Sequence, residues 1–211
     1  MFFDLADYMD VSSGEGEGMG AATTRRREAR QRAKFCETMT RIIAEHGLPN
    51  TSVNLVFRGA RQGSSTYYKL YPDREACVLE AFERCAMTIL ARVETAARAA
   101  EGPNEALAAG IDALAAALAS DPAVARLVAI EIRAGNGACR KAHEAWLARL
   151  ETLVQSKLPN LNGFEEQLAR FTVGGVATVL ETEVAAERTS TSAATLVAAG
   201  SIACPPQGPR H

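Results

Sequence analysis

Residues 51–74, TSVNLVFRGARQGSSTYYKLYPDR, leave this chain few folding choices. Ser52 is placed to cap a short helix whose Val53, Val56 and Ala60 share one side at helical spacing. Residues 59–63 then break the pattern with two glycines that tolerate positive φ. Ser64 or Ser65 is placed to cap a second short helix that ends near Tyr71, where Pro72 stops it. Two short helices joined by a tight turn, the second bearing hydroxyl, aromatic and cationic side chains, suit a DNA major groove.

The flanks extend this unit. A helix is expected over 33–46, with Phe35, Met39, Ile42 and Ile43 as its buried stripe and Gly47 as its stop. A longer one is expected over 74–100, with Val78, Leu79, Phe82, Ile89, Leu90 and Val93 on one side. The segment from Phe35 to Phe82 resembles, without a gap, the DNA-binding domain of TetR/AcrR-type transcriptional regulators. The matching residues are Gly47, Thr51-Ser52-Val53, Ala60, Thr66-Tyr67-Tyr68, Leu70-Tyr71 and Asp73-Arg74-Glu75-Ala76-Cys77. The family usually has a small or β-branched residue where Phe57 stands, Gly where Arg61 stands and an apolar residue where Gln62 stands.

The resemblance implies roles. Tyr67 becomes a core residue and Tyr68 a phosphate contact. Ser64, Ser65 and Thr66 face base edges or phosphates, with Arg61 and Gln62 at the turn beside them. Lys69, Arg74 and either Thr51 or Ser52 lie against phosphates. Arg61 either adopts positive φ in place of the family's glycine, or Gly63 takes the left-handed position and the second helix starts late.

Charge is distributed to match. Residues 1–22 hold five acids and no bases, whereas residues 23–74 hold eleven Lys/Arg against four acids, within a net charge of −2. Residues 1–24, with GEGEGMG, read as a disordered arm, and Arg25-Arg26-Arg27 through Lys34 as a basic lead into the first helix that follows the minor groove, touches phosphates or is merely solvated. Five cysteines without CxxC or paired spacing point to reduced thiols in a cytoplasm, with no metal site or cofactor expected. The N-terminus lacks a basic n-region, so no secretory signal is expected, and no apolar run reaches the roughly 20 residues that span a bilayer, so no membrane partner is expected.

The remainder reads as further helices, which makes the chain all-α. A three-helix helix-turn-helix head (25–80) joins a larger helical body (81–203), followed by a disordered tail (204–211). Leu107, Ile111, Leu114 and Leu118 mark one body helix, and Asp121-Pro122 opens the next. Trp146, Leu147, Leu150, Leu153 and Val154 mark a third, and a fourth is expected over 164–187 and a fifth over 192–203. The body resembles the ligand-binding and dimerisation domain of the same family.

No G-x-S-x-G, H-E-x-x-H or Walker sequence is present, and three histidines are scattered, so no enzyme is expected. Two functions remain open. One is a ligand-responsive, dimeric transcriptional repressor that binds a near-palindromic operator in double-stranded DNA. The other is a protein of the same fold whose altered turn has lost DNA reading, leaving a small-molecule sensor or interaction module. Helical spacing puts Val124, Leu127, Val128 and Glu131 on one face, and His143 beside Trp146 on another. Glu131 is therefore paired internally with His143 or Arg133, or partly exposed at the helix end, or it lines, with Leu107, Ile111, Leu127, His143 and Trp146, a cavity for a small, mostly hydrophobic effector. Phe171, Val176, Val179 and Leu180, with Leu196 and Val197, are expected to form a four-helix homodimer interface around Gly174 and Gly175.

Overall fold

The structure, a computed structural model, describes residues 19–158 and 163–186. It is all-helical: eight α-helices run α1 (Met19–His46), α2 (Val53–Gly59), α3 (Ser64–Leu70), α4 (Arg74–Ala99), α5 (Pro103–Ser120), α6 (Pro122–Ala129), α7 (Gly137–Gln155) and α8 (Glu165–Ala185), with no strand among the described residues. The expected helix over 192–203, with Leu196 and Val197, and the tail over 204–211 lie outside the described residues.

The head closes around aromatic rings. Phe35 of α1, Tyr67 of α3 and Tyr71 are buried together, with Phe35 edge-on to Tyr67 at 5.2 Å and to Tyr71 at 6.2 Å between centroids. Edge-to-face rings match the positive rim of one to the negative face of the other, worth about 1 kcal/mol per pair beyond area burial. Gly59 ends α2 where α1 passes closest: a Cβ there would lie 2.9 Å from Thr38 Cγ2 and 3.2 Å from an Arg41 nitrogen. Caps set the helix starts. Ser52 accepts from Leu55 N, Asp73 from Ala76 N, Asp121 from Ala123 N and Val124 N, and Asn136 from Ala138 N and Cys139 N.

Three expectations about these elements are corrected. First, α1 begins by Met19, not at 33, so 19–24 are helical and the basic stretch is helix throughout. Arginine and alanine are good helix formers, and an already nucleated helix extends at little cost. Second, Gly63 occupies the N-cap of α3 without a side-chain bond, and neither Ser64 nor Ser65 caps it. Third, α6 stops at Ala129 and a 3-10 turn follows over Glu131–Ala134. A 3-10 turn advances about 120° per residue instead of 100°. Glu131 therefore lies beyond the end of α6, where the helical spacing that put it on a face with Val124 and Val128 no longer holds.

The body stacks α4 against α5 and α7 against α8, with α6 between α1 and α8. Because α4 contributes Cys77, Val78 and Ala81 to the head and Ile89, Leu90 and Val93 to the body, one apolar cluster runs through both. The four described cysteines are free thiols.

Candidate nucleic-acid interface and ligand cavity

The head presents one face of α3. Tyr67 is fully buried and its hydroxyl donates to the Asp73 carbonyl at 3.3 Å, whereas adjacent Tyr68 is 58 % exposed. Ser64, Ser65 and Lys69 are exposed beside it and Thr66 is half-buried. Burial pushes the Tyr67 hydroxyl far above the usual tyrosine range, so it stays protonated and keeps its proton for the Asp73 carbonyl. The turn ahead of α3 has Arg61 at φ 51°, among the described residues the only non-glycine at positive φ, while Gly63 is extended at φ −75°. Of the two expected turn geometries, the one with a left-handed Arg61 is present.

Two residues expected at phosphates are engaged inside the head instead. Thr51 is 1 % exposed and its hydroxyl donates to the Gly47 carbonyl at 2.9 Å. Arg74 donates from Nη1 to the Thr51 carbonyl at 3.0 Å and the Leu48 carbonyl at 3.4 Å, and pairs with Glu75 at 2.8 Å. Ser52 remains exposed at the start of α2.

Beside the turn lies a second feature that the motif did not locate. Thr23, Arg26, Arg27, Arg30, Gln31 and Lys34 of α1 line an open groove of about 380 Å³ closed on the other side by Gln62. Their spacing of three and four residues marks one helical stripe. Arg32, off this stripe, is anchored: it donates to Glu80 at 2.6 Å and stacks over Tyr71 at 5.1 Å. Arg84 completes that pairing at 3.0 Å. Burial alone would raise the Glu80 carboxyl, but hydrogen bonds from Arg32 and Arg84 outweigh it and hold the group below the usual range.

The body holds an apolar cavity between α4, α5, α6, α7 and α8. Leu107, Ile111, His143 and Trp146 line it as expected, joined by Val128, Leu150, Val173 and Val176. The enclosed space is narrow, about 70 Å³, within about 790 Å³ of gap between side chains that includes the mouth. Leu127 is fully buried in the core and does not line it. Polar groups are few. Trp146 Nε1 is buried without a hydrogen-bond partner. His143 packs with Trp146 and Phe82 at centroid distances of 6.0 and 6.4 Å. Burial, then the Arg133 charge, holds the His143 imidazole below the usual range against the opposing pull of Glu181 and Glu144. Glu181 is paired with Arg133.

Glu131 is not in the cavity. It is 6 % exposed and accepts from Leu48 N at 2.8 Å and from Arg126 Nε at 3.1 Å. Its ionic partner is thus Arg126, neither His143 nor Arg133. The carboxylate sits against Gly47, where a Cβ would lie in ordinary contact 3.6 Å from Oε2, so it is the φ of 77° that favours glycine there.

Helix α8 separates the residues expected at the dimer interface. Val176 is 6 % exposed and, with Leu180, lines the cavity, while Val179 is half-buried against the core. Phe171 is 73 % exposed on the opposite face, where Gly174, Gly175, Thr178 and Thr182 follow at helical spacing. A Cβ on either glycine would meet nothing within 4 Å. The sequence signal for this division was the stripe 169, 172, 173, 176 and 184, which a polar Thr172 disguised. Among the described residues no group of His, Cys, Asp or Glu could hold a metal ion, and no single helix is long and apolar enough to cross a membrane.

No protein-family model and no curated protein matches the chain. Solved structures do. The fatty acid degradation regulator FadR from Bacillus halodurans aligns with a TM-score of 0.74 at 15 % identity, over 90 % of this chain and 96 % of that one. A TetR-like transcriptional regulator from Rhodococcus sp. RHA1 gives 0.67 at 15 %, over 81 % and 93 %. FadR from Bacillus subtilis, in complex with stearoyl-CoA, gives 0.66 at 21 %, over 81 % and 94 %. The chain therefore has the fold of TetR-type regulators.

Proposed function

We infer, from a chain with the TetR-type fold, that it is a ligand-responsive dimeric transcriptional repressor acting on a near-palindromic DNA operator in the cytoplasm. The observation that carries this reading is the outward face of α3. Ser64, Ser65, Tyr68 and Lys69 are exposed together, while Tyr67 anchors the helix from behind. Such a face can insert into a major groove, hydroxyls at base edges and Lys69 on a phosphate. Arg61, Gln62 and Ser52 border it. The left-handed Arg61 supports this reading over a sensor without DNA binding, because the turn keeps its geometry despite the lost glycine.

One recognition helix reads one half-site, so a two-fold dimer is needed for a useful operator. The outward stripe of α8, Phe171 with Gly174 and Gly175, is suited to lie against the same stripe of a second copy. The effector is a small, mostly hydrophobic molecule in the α4–α8 cavity. An acceptor atom on it would satisfy Trp146 Nε1, removing a desolvation penalty of about 1–3 kcal/mol. The stearoyl-CoA bound by the Bacillus subtilis neighbour supports an apolar ligand for this fold. Because the enclosed cavity is narrow, about 70 Å³, a ligand has to part its walls. Val128 on α6 and the rings packed on Phe82 of α4 would carry that movement toward the head.

A gel shift with the DNA upstream of its own transcription unit tests the reading. A discrete complex competed by that DNA and not by unrelated duplex is expected. Equal competition by both would favour the sensor without sequence reading.

A further inference from the structure

We propose that the overhanging half of α1 is a second DNA-contacting element, a cationic stripe that follows the phosphate backbone beyond the bases faced by α3. The proposal rests on the DNA-binding reading above. It adds a surface which that reading does not use.

Residues 27–30 are exposed on every side of the helix. A helix that is polar all round owes little to burial and is open to a partner. The charges are sorted around it. Arg32 is neutralised by Glu80, whereas Arg27, Arg30 and Lys34 have no carboxylate partner among the described residues and share one stripe. Like charges three and four residues apart repel each other, by a few tenths of a kcal/mol per pair. The stripe therefore favours an anionic surface that relieves the repulsion. It carries no large apolar side chain, which disfavours an apolar docking partner.

The geometry selects a polyanion of one kind. The groove beside the stripe is also lined by Gln62, two residues before α3 begins, so the stripe lies next to the start of α3. From Arg27 to Lys34 the helix rises about 10 Å, the axial length of about three phosphates on one strand of a duplex. With α3 in the major groove, three cations per protomer would lie on phosphates flanking the half-site, and Gln62 would join the two contacts.

The test uses the full chain, a duplex from its own upstream region, and the same duplex trimmed by about five base pairs at each end, a length chosen to exceed the roughly 10 Å stripe. Affinity is measured across a salt series for the parent and for the Arg27→Ala/Arg30→Ala/Lys34→Ala protein. The slope of log affinity against log salt should become shallower by roughly 2 to 3 for each bound protomer. Trimming should weaken the parent and leave the triple variant unaffected. The corresponding triple Gln variant keeps polar side chains and a similar helix propensity and should behave alike, which separates lost charge from a melted helix. Parent and both variants with equal slopes would overturn the proposal. A parent that binds no duplex would overturn the DNA-binding reading itself, and this proposal with it.

Discussion

The carboxylate of Glu131, in the 3-10 turn after α6, accepts the backbone N–H of Leu48, just past the end of α1, at 2.8 Å across 83 residues of sequence. Arg74 takes the carbonyl of the same Leu48 from the α4 side at 3.4 Å. The short turn between α1 and α2 is thus gripped by the body at its amide and by the connecting helix at its carbonyls. Glu131 lies two residues beyond Ala129, which lines the cavity, so a displacement of α6 is felt first at this bond. Glu131→Ala should lower unfolding free energy by about 2–4 kcal/mol, since Leu48 N and Arg126 both lose their acceptor. Glu131→Gln should cost less. Effector affinity, measured by calorimetry, should be unchanged in Glu131→Gln and reduced in Trp146→Ala. Equal losses in both would return Glu131 to the cavity.

Arg61 stands at φ 51° where glycine would be unstrained. A left-handed residue with a Cβ costs about 1–2 kcal/mol, and glycine gives back roughly 0.5–1 through the unfolded chain. Arg61→Gly should therefore stabilise the protein by up to about 1 kcal/mol, raising Tm by about 2–4 °C in calorimetry. A lower Tm would mean that the arginine side chain holds the turn.

Lys69 and Arg74 separate by role. Lys69→Ala should leave the melting temperature alone and make the salt dependence of DNA binding shallower by about 0.9 per protomer. Arg74→Ala should destabilise the head, because the Thr51 carbonyl loses a charged donor at 3.0 Å. Its salt slope should stay near the parent's. If the two variants behave alike in both measurements, this division is wrong.

His143 gives the body a pH dependence. Burial and the Arg133 charge depress its folded pKa below its unfolded value, so the unfolded chain binds the extra proton first. The stability due to keeping it neutral is complete above the unfolded value, near pH 6.5, and is lost as pH falls through the folded one. Denaturant midpoints between pH 7 and 5 should fall less steeply in His143→Phe than in the parent. Parallel profiles would show that the imidazole does not titrate differently in the two states.

Phe171 and Val176 lie on opposite faces of α8. Phe171→Glu should give a folded monomer in sedimentation, with helicity retained. Val176→Arg places a charge in the cavity wall and should destabilise the fold by more than about 3 kcal/mol. A dimer that survives Phe171→Glu would move the interface elsewhere.

By itself the sequence determined whatever is encoded locally. Helical periodicity, Ser52, Asp121 and Gly47 mark where helices start and stop within a few neighbouring side chains, so the head and the all-α body were legible. Adjacent positions on one helix put one of Tyr67 and Tyr68 inside and the other outside, and the family resemblance implied that Tyr67 is the inner one. Tertiary structure decided the partners of polar groups and the side each apolar stripe faces. Arg74 and Thr51 read as phosphate ligands because nothing local shows that their bonds go to Thr51 and Gly47 carbonyls. Glu131 lies past α6 in a 3-10 turn of four residues, and its acceptor role depends on a Leu48 amide that no spacing rule reaches. In α8 both faces carry apolar residues, and only the positions of α6 and α7 assign Val176 inward and Phe171 outward. Local propensity acts over one or two turns, whereas a buried carboxylate or an apolar face is satisfied by whichever element the fold brings against it.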